Sequence, residues 1–365
     1  MLATVCATAC TALLGVDFDG TLEGSTDGAA PDGSAGSCVL AGWPQRPAEE
    51  DQVDDGTLEL VFALSTLDVG VTDAGTQTTR GFDLDGVCTC PSADSCGRPP
   101  DAGTACDADG GVDERGTELI ATLAAIGRYR TDATEDLRKG KRSFLLRLVG
   151  YNGRADDRKV ELSVFSSEGT ELDDAGSRLT PRRDGSDRWT VSRSSLIGGN
   201  VGARGPYLPN FVDLDAYVAD GWLVSRLVFP VLMGDLDMVM LPTEAVTVAR
   251  IVPTTPGMFR LDDGRTVGRW PVEAVLEEIS VIPDPLLADG GGICGASPLY
   301  AGIKERICAS RDIARDPRND RTAAACDALA TTVVFSAEAA QLGTIVAPSP
   351  PVRRCGVAWS DVCAN

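Results

Sequence analysis

The chain has 365 residues, 12 cysteines and no histidine, and carries a formal net charge of −21. Without histidine, Ser-His-Asp and Cys-His catalysis are excluded, and so is the commonest metal ligand. The acidic excess is local: residues 1–115 hold 21 acids and 4 bases, whereas the remaining 250 residues hold 33 acids and 29 bases. Such a surface repels phosphates, so nucleic acid is not an expected partner.

The N-terminus opens on an apolar, small-residue stretch, Leu2–Val16. It is too short to span a bilayer. Ala7-Thr8-Ala9-Cys10 has the form of a loose bacterial lipobox, in which Cys10 would be lipidated after cleavage of residues 1–10 as a signal remnant. The charged start of the signal would then lie upstream of Met1, or the start would be misassigned. Residues 11–37 read as a flexible tether; Glu23–Ser37 is built of Gly, Ser, Asp, Ala and Pro and spans on the order of 20 Å. The expected location is extracytoplasmic: membrane-anchored through Cys10 at the bacterial cell surface or in the periplasm.

Cysteine usage points to the same compartment. Setting aside Cys6 and Cys10 leaves Cys38, Cys88, Cys90, Cys96 and Cys106 towards the N-terminus, and Cys294, Cys308, Cys326, Cys355 and Cys363 towards the C-terminus. Five cannot pair among themselves. If all ten are oxidised, an odd number of bridges joins the two ends of the chain, each contributing ~2–4 kcal/mol.

Residues 38–285 read as a β-rich domain containing a disulfide-held loop, 88–106. Leu58–Leu67 is its first strand candidate, and Glu118–Tyr129, with Leu119, Leu123 and Ile126 at helical spacing, predicts a short helix. Phe144–Val149, the turn Asn152-Gly153 and the alternating Val160, Leu162 and Val164 predict a hairpin. Further turns are expected at Asp184-Gly185, Asp220-Gly221, Gly234-Asp235, Pro256-Gly257 and Asp263-Gly264. The segments between them, notably Trp222–Leu232, Leu236–Leu241 and Val246–Val252, are rich in Val, Leu and Ile. This spacing predicts an antiparallel β-sandwich or jelly-roll-like fold, with Pro230 and Pro242 at edges, strand ends or bulges.

Residues 286–365 read as a helical, cysteine-stapled C-terminal segment. Just before it, Pro271 opens a helix with Val272, Val275, Leu276 and Ile279 on one face. Leu299, Ile303 and Ile307 form a second helical stripe, and Ala323–Leu342 reads as partly helical, with Thr331–Phe335 as an alternative strand.

Two kinds of chemistry remain open. A glycan hydrolase needs only two carboxylates, and Asp156-Asp157 or Asp213 with Asp215 are candidates, though solvated acidic turns explain them more simply. Calcium is the sharper option. Asp83-Leu84-Asp85-Gly86 is a D-x-D-G element, and Asp107-Ala108-Asp109-Gly110-Gly111-Val112-Asp113 is followed by Glu118. Closely spaced Asp on Gly-turned loops suit a hard cation. The EF-hand register fails, because Gly111 and Val112 stand where an acidic residue and the invariant glycine belong. Asp83, Asp85, Asp107, Asp109, Asp113 and Glu118 are therefore candidates for an irregular loop site for Ca2+, not a helix–loop–helix one.

Several short pieces resemble a set of paralogous cysteine-rich lipoproteins of myxobacterial type. They are Leu14-Gly15-Val16-Asp17-Phe18-Asp19, Gly81-Phe82-Asp83-Leu84-Asp85-Gly86-Val87-Cys88-Thr89-Cys90, Gly110-Gly111-Val112-Asp113, Gly150-Tyr151-Asn152-Gly153 with Asp156-Asp157, Tyr217-Val218 with Trp222-Leu223-Val224, Asp263-Gly264 with Gly268-Arg269-Trp270, and Cys326-Asp327-Ala328-Leu329. Where those proteins often carry Gly-x-Asp-Asn, this chain has Asp113-Glu114. The resemblance implies export and lipidation and adds nothing about mechanism. The expected role is non-catalytic binding or display, with an extracellular ligand not identified by the sequence.

Overall fold

The computed structural model describes residues 41–48, 56–69, 81–87, 95–99, 107, 110–127, 132–227, 231–233, 238–255, 257–288, 290–350, 352, 354–355 and 359–363. Cys10, Cys38, Cys88, Cys90, Cys106 and Asp109 lie outside them, as do Pro230, Gly234-Asp235 and Pro256.

The protein is mainly β, but its main sheet is a closed barrel of eight strands, not a sandwich or jelly roll. The staves are β1 (Leu58–Asp68), β2 (Ser143–Tyr151), β3 (Asp157–Ser167), β5 (Phe211–Ala219), β6 (Trp222–Ser225), β9 (Thr243–Thr255), β10 (Met258–Pro271) and β11 (Ala328–Ala339). Each pairs antiparallel with the next one along the chain. The ring shuts where β1 meets β11, from Phe62↔Ala339 to Asp68↔Val334. That seam removes both sheet edges. A serine–threonine contact marks it: the Thr66 and Ser336 hydroxyls lie 2.5 Å apart, and Ser336 N–H donates to Thr66 Oγ1 at 2.9 Å. A meander of hairpins has the same alternating pattern whether it folds into two sheets or closes on itself. Only the β1–β11 pairing distinguishes them.

Alternation places Phe62, Leu146, Leu162, Val218, Leu223, Ile251 and Phe335 in one buried apolar cluster filling the barrel. An apolar interior is the reverse of a membrane-spanning barrel, whose lumen is polar. Among the described residues no helix is long and apolar enough to cross a membrane. The outer wall is covered in two places. A parallel pair, β4 (Arg188–Ser192) with β12 (Gln341–Val346), packs Trp189, Val191 and Ile345 against Ala63, Leu145 and Phe165. On the opposite wall, Trp43 and Phe82 cover Val224, Val246, Val248 and Val267.

The connections are unequal at the two ends. At one end are tight turns; Asp220 and Gly221, both with positive φ (51° and 78°), join β5 to β6 in the two-residue form whose twist suits a hairpin. At the other end all the long connections emerge. The β1–β2 connection carries α1 (Arg115–Gly127) and α2 (Thr134–Arg138), the β6–β9 connection the small hairpin β7 (Val231–Met233) and β8 (Met238–Met240), and the β10–β11 connection α3 (Val272–Glu278) and α4 (Tyr300–Ala309). Leu119, Leu123, Val275, Leu276, Ile303 and Ile307 from α1, α3 and α4 join the barrel's own core cluster, so these helices close that end. Gly116 is needed for this closure: a Cβ there would lie 2.2 Å from Thr331 Cγ2.

Two sequence expectations change. Ala323–Leu342 is strand, not helix, through most of its length, so residues 286–365 supply a stave of the barrel as well as α4. Thr331, Thr332, Val333 and Phe335 are β-branched or aromatic, and both faces of β11 are buried, which erases the alternation that would have marked a strand. Asp263-Gly264 is not a turn but a bulge within β10, where the register slips by one residue and Asp263 has φ 51°. Gly264 leaves room for the Phe335 ring, which would lie 2.5 Å from a Cβ.

Three disulfides are formed among the described residues: Cys96–Cys326, Cys294–Cys355 and Cys308–Cys363. The first joins the N-terminal group of cysteines to the C-terminal one across 230 residues.

Arg269, on the outer wall of β10, is 2% exposed and makes a two-pronged ion pair with Asp320, at 2.7 and 2.6 Å. It also donates to the carbonyls of Ala314 and Leu84. Replacing it alone strands the Asp320 carboxylate, so Arg269→Leu is expected to cost about 3–5 kcal/mol in denaturant unfolding, and the double change with Asp320→Leu to recover part of that. A loss below about 1 kcal/mol for the single change would contradict this assignment.

Candidate metal centre

The segment 81–87 crosses the outer wall of the barrel and is fixed at several points. Phe82 sits edge-on to Trp43 (centroids 5.6 Å apart) with the Arg265 guanidinium over its ring. Asp83 N–H donates to the Ala41 carbonyl, and Gly81 N–H donates to Glu114 Oε1 at 2.7 Å. Arg269 takes the Leu84 carbonyl and Arg321 the Gly86 carbonyl. Within the segment, Gly86 N–H donates to Asp83 Oδ1 and Val87 N–H to Asp85 Oδ1. These Asx-type turns, with Gly86 at φ 74°, fold the D-x-D-G element so that both carboxylates point the same way.

Asp113 arrives from the other side, just ahead of α1. Its Oδ2 accepts Leu84 N–H at 2.9 Å. One carboxylate oxygen from each of Asp83, Asp85 and Asp113 lies within 4.8 Å of the others. Oxygens bound to one calcium ion at about 2.4 Å are at most about 5 Å apart, so the three fit a single hard cation. Asp113 is 1% exposed, and its Oδ1 is buried with no hydrogen-bond partner. A buried carboxylate oxygen without a donor is costly, and a cation would supply what it lacks.

The electrostatics agree. Burial, then the charges of Asp107, Asp83 and Asp320, push Asp85 up to about 7. Burial, then Asp312, Asp85 and Asp107, hold Asp113 well above the usual carboxylate range, and burial also raises Asp83. Behind Asp113, the fully buried Asp312 is pushed up to about 7, mainly by desolvation, while accepting Ala330 N–H.

Of the other sequence candidates, Asp107 is close enough for its charge to be felt, but its carboxylate pairs with Arg98 at 2.9 Å, both nearly buried. Glu118 points along α1 to Arg115. The structure thus brings together Asp83, Asp85 and Asp113, and adds Asp312 and Asp320, which no motif marks and which lie some two hundred residues further on. Only the apolar Ile313-Ala314 that follows Asp312 could have hinted at its burial; Asp320, between Asn319 and Arg321, carries no such signal.

The carboxylates considered for hydrolysis are engaged in turns and ion pairs. Asp157 accepts Asn152 N–H, Asp156 accepts Asp220 N–H, Asp213 accepts the Ser225 hydroxyl and Arg226 N–H, and Asp215 pairs with Arg46.

No protein-family model, curated protein or solved structure matches the chain.

Without added cation, three acids crowd a buried site, so removing one should help. Asp113→Asn is expected to raise stability in chelator at pH 8 by at least about 1 kcal/mol, measured by urea unfolding. A loss of that size would mean that the Asp113 carboxylate is already satisfied.

Proposed function

We propose that the chain is an exported bacterial surface lipoprotein with a non-catalytic binding role, in which calcium bound by Asp83, Asp85 and Asp113 holds the 81–87 segment on the barrel wall. Two observations carry the cation: one carboxylate oxygen from each of Asp83, Asp85 and Asp113 lies within 4.8 Å of the others, and Asp113 Oδ1 is buried with no hydrogen-bond partner. Calcium suits an all-oxygen site that lies on loops. It also suits an exported protein, where free calcium is plentiful enough for a modest site to fill. Export itself is supported by the three disulfides, which form and persist in oxidising compartments. Anchoring through Cys10 is supported by the lipobox-like Ala7-Thr8-Ala9-Cys10.

The non-catalytic part rests on the carboxylates. Those not gathered at the cation site and considered for catalysis are engaged in turns and ion pairs, and the cation cluster lies against the outer wall under a fixed segment. A cation there organises structure and need not touch a substrate.

Two measurements test the reading. Calcium at about a hundred times its Kd should raise stability by about 2.7 kcal/mol over a chelated sample, and Asp113→Asn should abolish the difference; a melting temperature indifferent to calcium and chelator removes the cation from the account. Intact mass of the protein from its host's membranes should begin at Cys10 with added lipid. An unlipidated chain retaining Met1 overturns the anchoring.

A further inference from the structure

A second site lies at the end of the barrel closed by the long connections. There a cleft of about 460 Å3 opens between the ends of β1, β2 and β3, the helices α2 and α3, and the C-terminal segment. This is within the ~300–1,000 Å3 typical of small-molecule sites, which favour the mouths of β-barrels. Its floor is apolar: Leu67, Leu137 and Phe144 belong to the barrel core, with Val281 and Trp359 packed against it.

The charges at its rim are unbalanced. Arg142 is paired with Glu168 at 3.5 Å, and Arg354 donates to the Val281 carbonyl. Glu277 and Glu278, by contrast, end α3 side by side, and neither has a cationic partner among the described residues. The last turn of α3 has no basic residue, although the C-terminus of a helix favours positive charge and disfavours acids. Glu278 is half-buried; its Oε2 accepts Val239 N–H at 2.8 Å, and desolvation raises its carboxyl above the ordinary value. An apolar floor beside two carboxylates that pair with no cation among the described residues is complementary to one kind of molecule.

We infer that this cleft binds an amphipathic amine, with its hydrocarbon part against Leu67, Leu137, Phe144 and Trp359 and its ammonium head between Glu277 and Glu278. The ammonium replaces the missing countercharge, and the chain displaces water from the barrel mouth. The inference deepens the binding role proposed above, but it uses none of the residues of the cation site.

The test is calorimetric titration of the full-length protein with three ten-carbon probes below their aggregation concentrations: decylamine, decanol and decanoate. Decylamine is expected to bind at least about tenfold more tightly than decanoate, as a charge-assisted contact warrants. Because the whole chain is acidic and attracts any amine weakly, the deciding sample is Glu277→Gln/Glu278→Gln. Glutamine keeps an acceptor for Val239 N–H while removing only two charges from the molecule. It should abolish the preference for decylamine and leave decanol binding within about twofold. Leu137→Trp, which fills the floor, should weaken all three probes. Tighter binding of decanoate, no binding of decylamine, or a preference that survives the double change would each overturn the inference. The calcium-dependent melting shift, read on the same samples, reports the cation site independently, so failure of one reading is distinguishable from failure of the other.

Discussion

The buried ion pair of Arg269 with Asp320 is the contact through which the outer wall of the barrel is organised. One guanidinium on β10 reaches three groups in two separate parts of the chain: the Leu84 carbonyl in the segment 81–87, and the Ala314 carbonyl and Asp320 carboxylate in the long β10–β11 connection. Buried ion pairs contribute little net stability against an apolar replacement, because desolvation offsets attraction. What this one does is fix position. It holds Leu84 where its N–H meets Asp113, and so fixes the spacing of Asp83, Asp85 and Asp113. The cost is that Asp320 adds one more negative charge beside Asp85. The crowding that makes the cluster attractive to a cation follows directly from the device that builds it.

The barrel supports this by dividing its labour between its two ends. Tight hairpins close one end with little chain. All the long connections leave from the other, and their helices bury apolar side chains in the same core that fills the barrel. The disulfides lie in those connections. Cys96–Cys326 ties the stretch between Asp85 and Asp113 to the residues just before β11, while Cys294–Cys355 and Cys308–Cys363 hold the C-terminal segment to the α3–α4 region. Tyr300 and Lys304 of α4 add hydrogen bonds to Asp361. The cleft is framed by the same covalently stiffened segments, which keeps a concave surface open without a large aromatic core.

Local chemistry was legible in the sequence where the signal is local. The β2–β3 hairpin followed from Asn152-Gly153 between alternating residues, and the stripes of α1, α3 and α4 followed from their spacing. The D-x-D-G element pointed to two of the three clustered carboxylates, and Asp113 was within the second acidic run. Closure of the sheet was not legible, since the β1–β11 seam joins residues some 270 positions apart, and nothing in either strand's pattern names its partner. β11 was obscured because burial on both faces removes alternation. Asp263-Gly264 looks like a hairpin turn and is a bulge because Phe335 needs the space above Gly264. Asp312 and Asp320 carry no motif; only folding makes them neighbours of the cluster.

The central claim, that the gathered carboxylates hold one hard cation, is tested most directly by counting it. Equilibrium dialysis of the chelator-stripped, full-length protein against calcium should give one ion per chain, reduced to none in Asp113→Asn while the variant remains folded. A stoichiometry unchanged by Asp113→Asn, or no bound ion at millimolar calcium, would contradict the account and leave the cluster as a set of crowded acids held in place by Arg269.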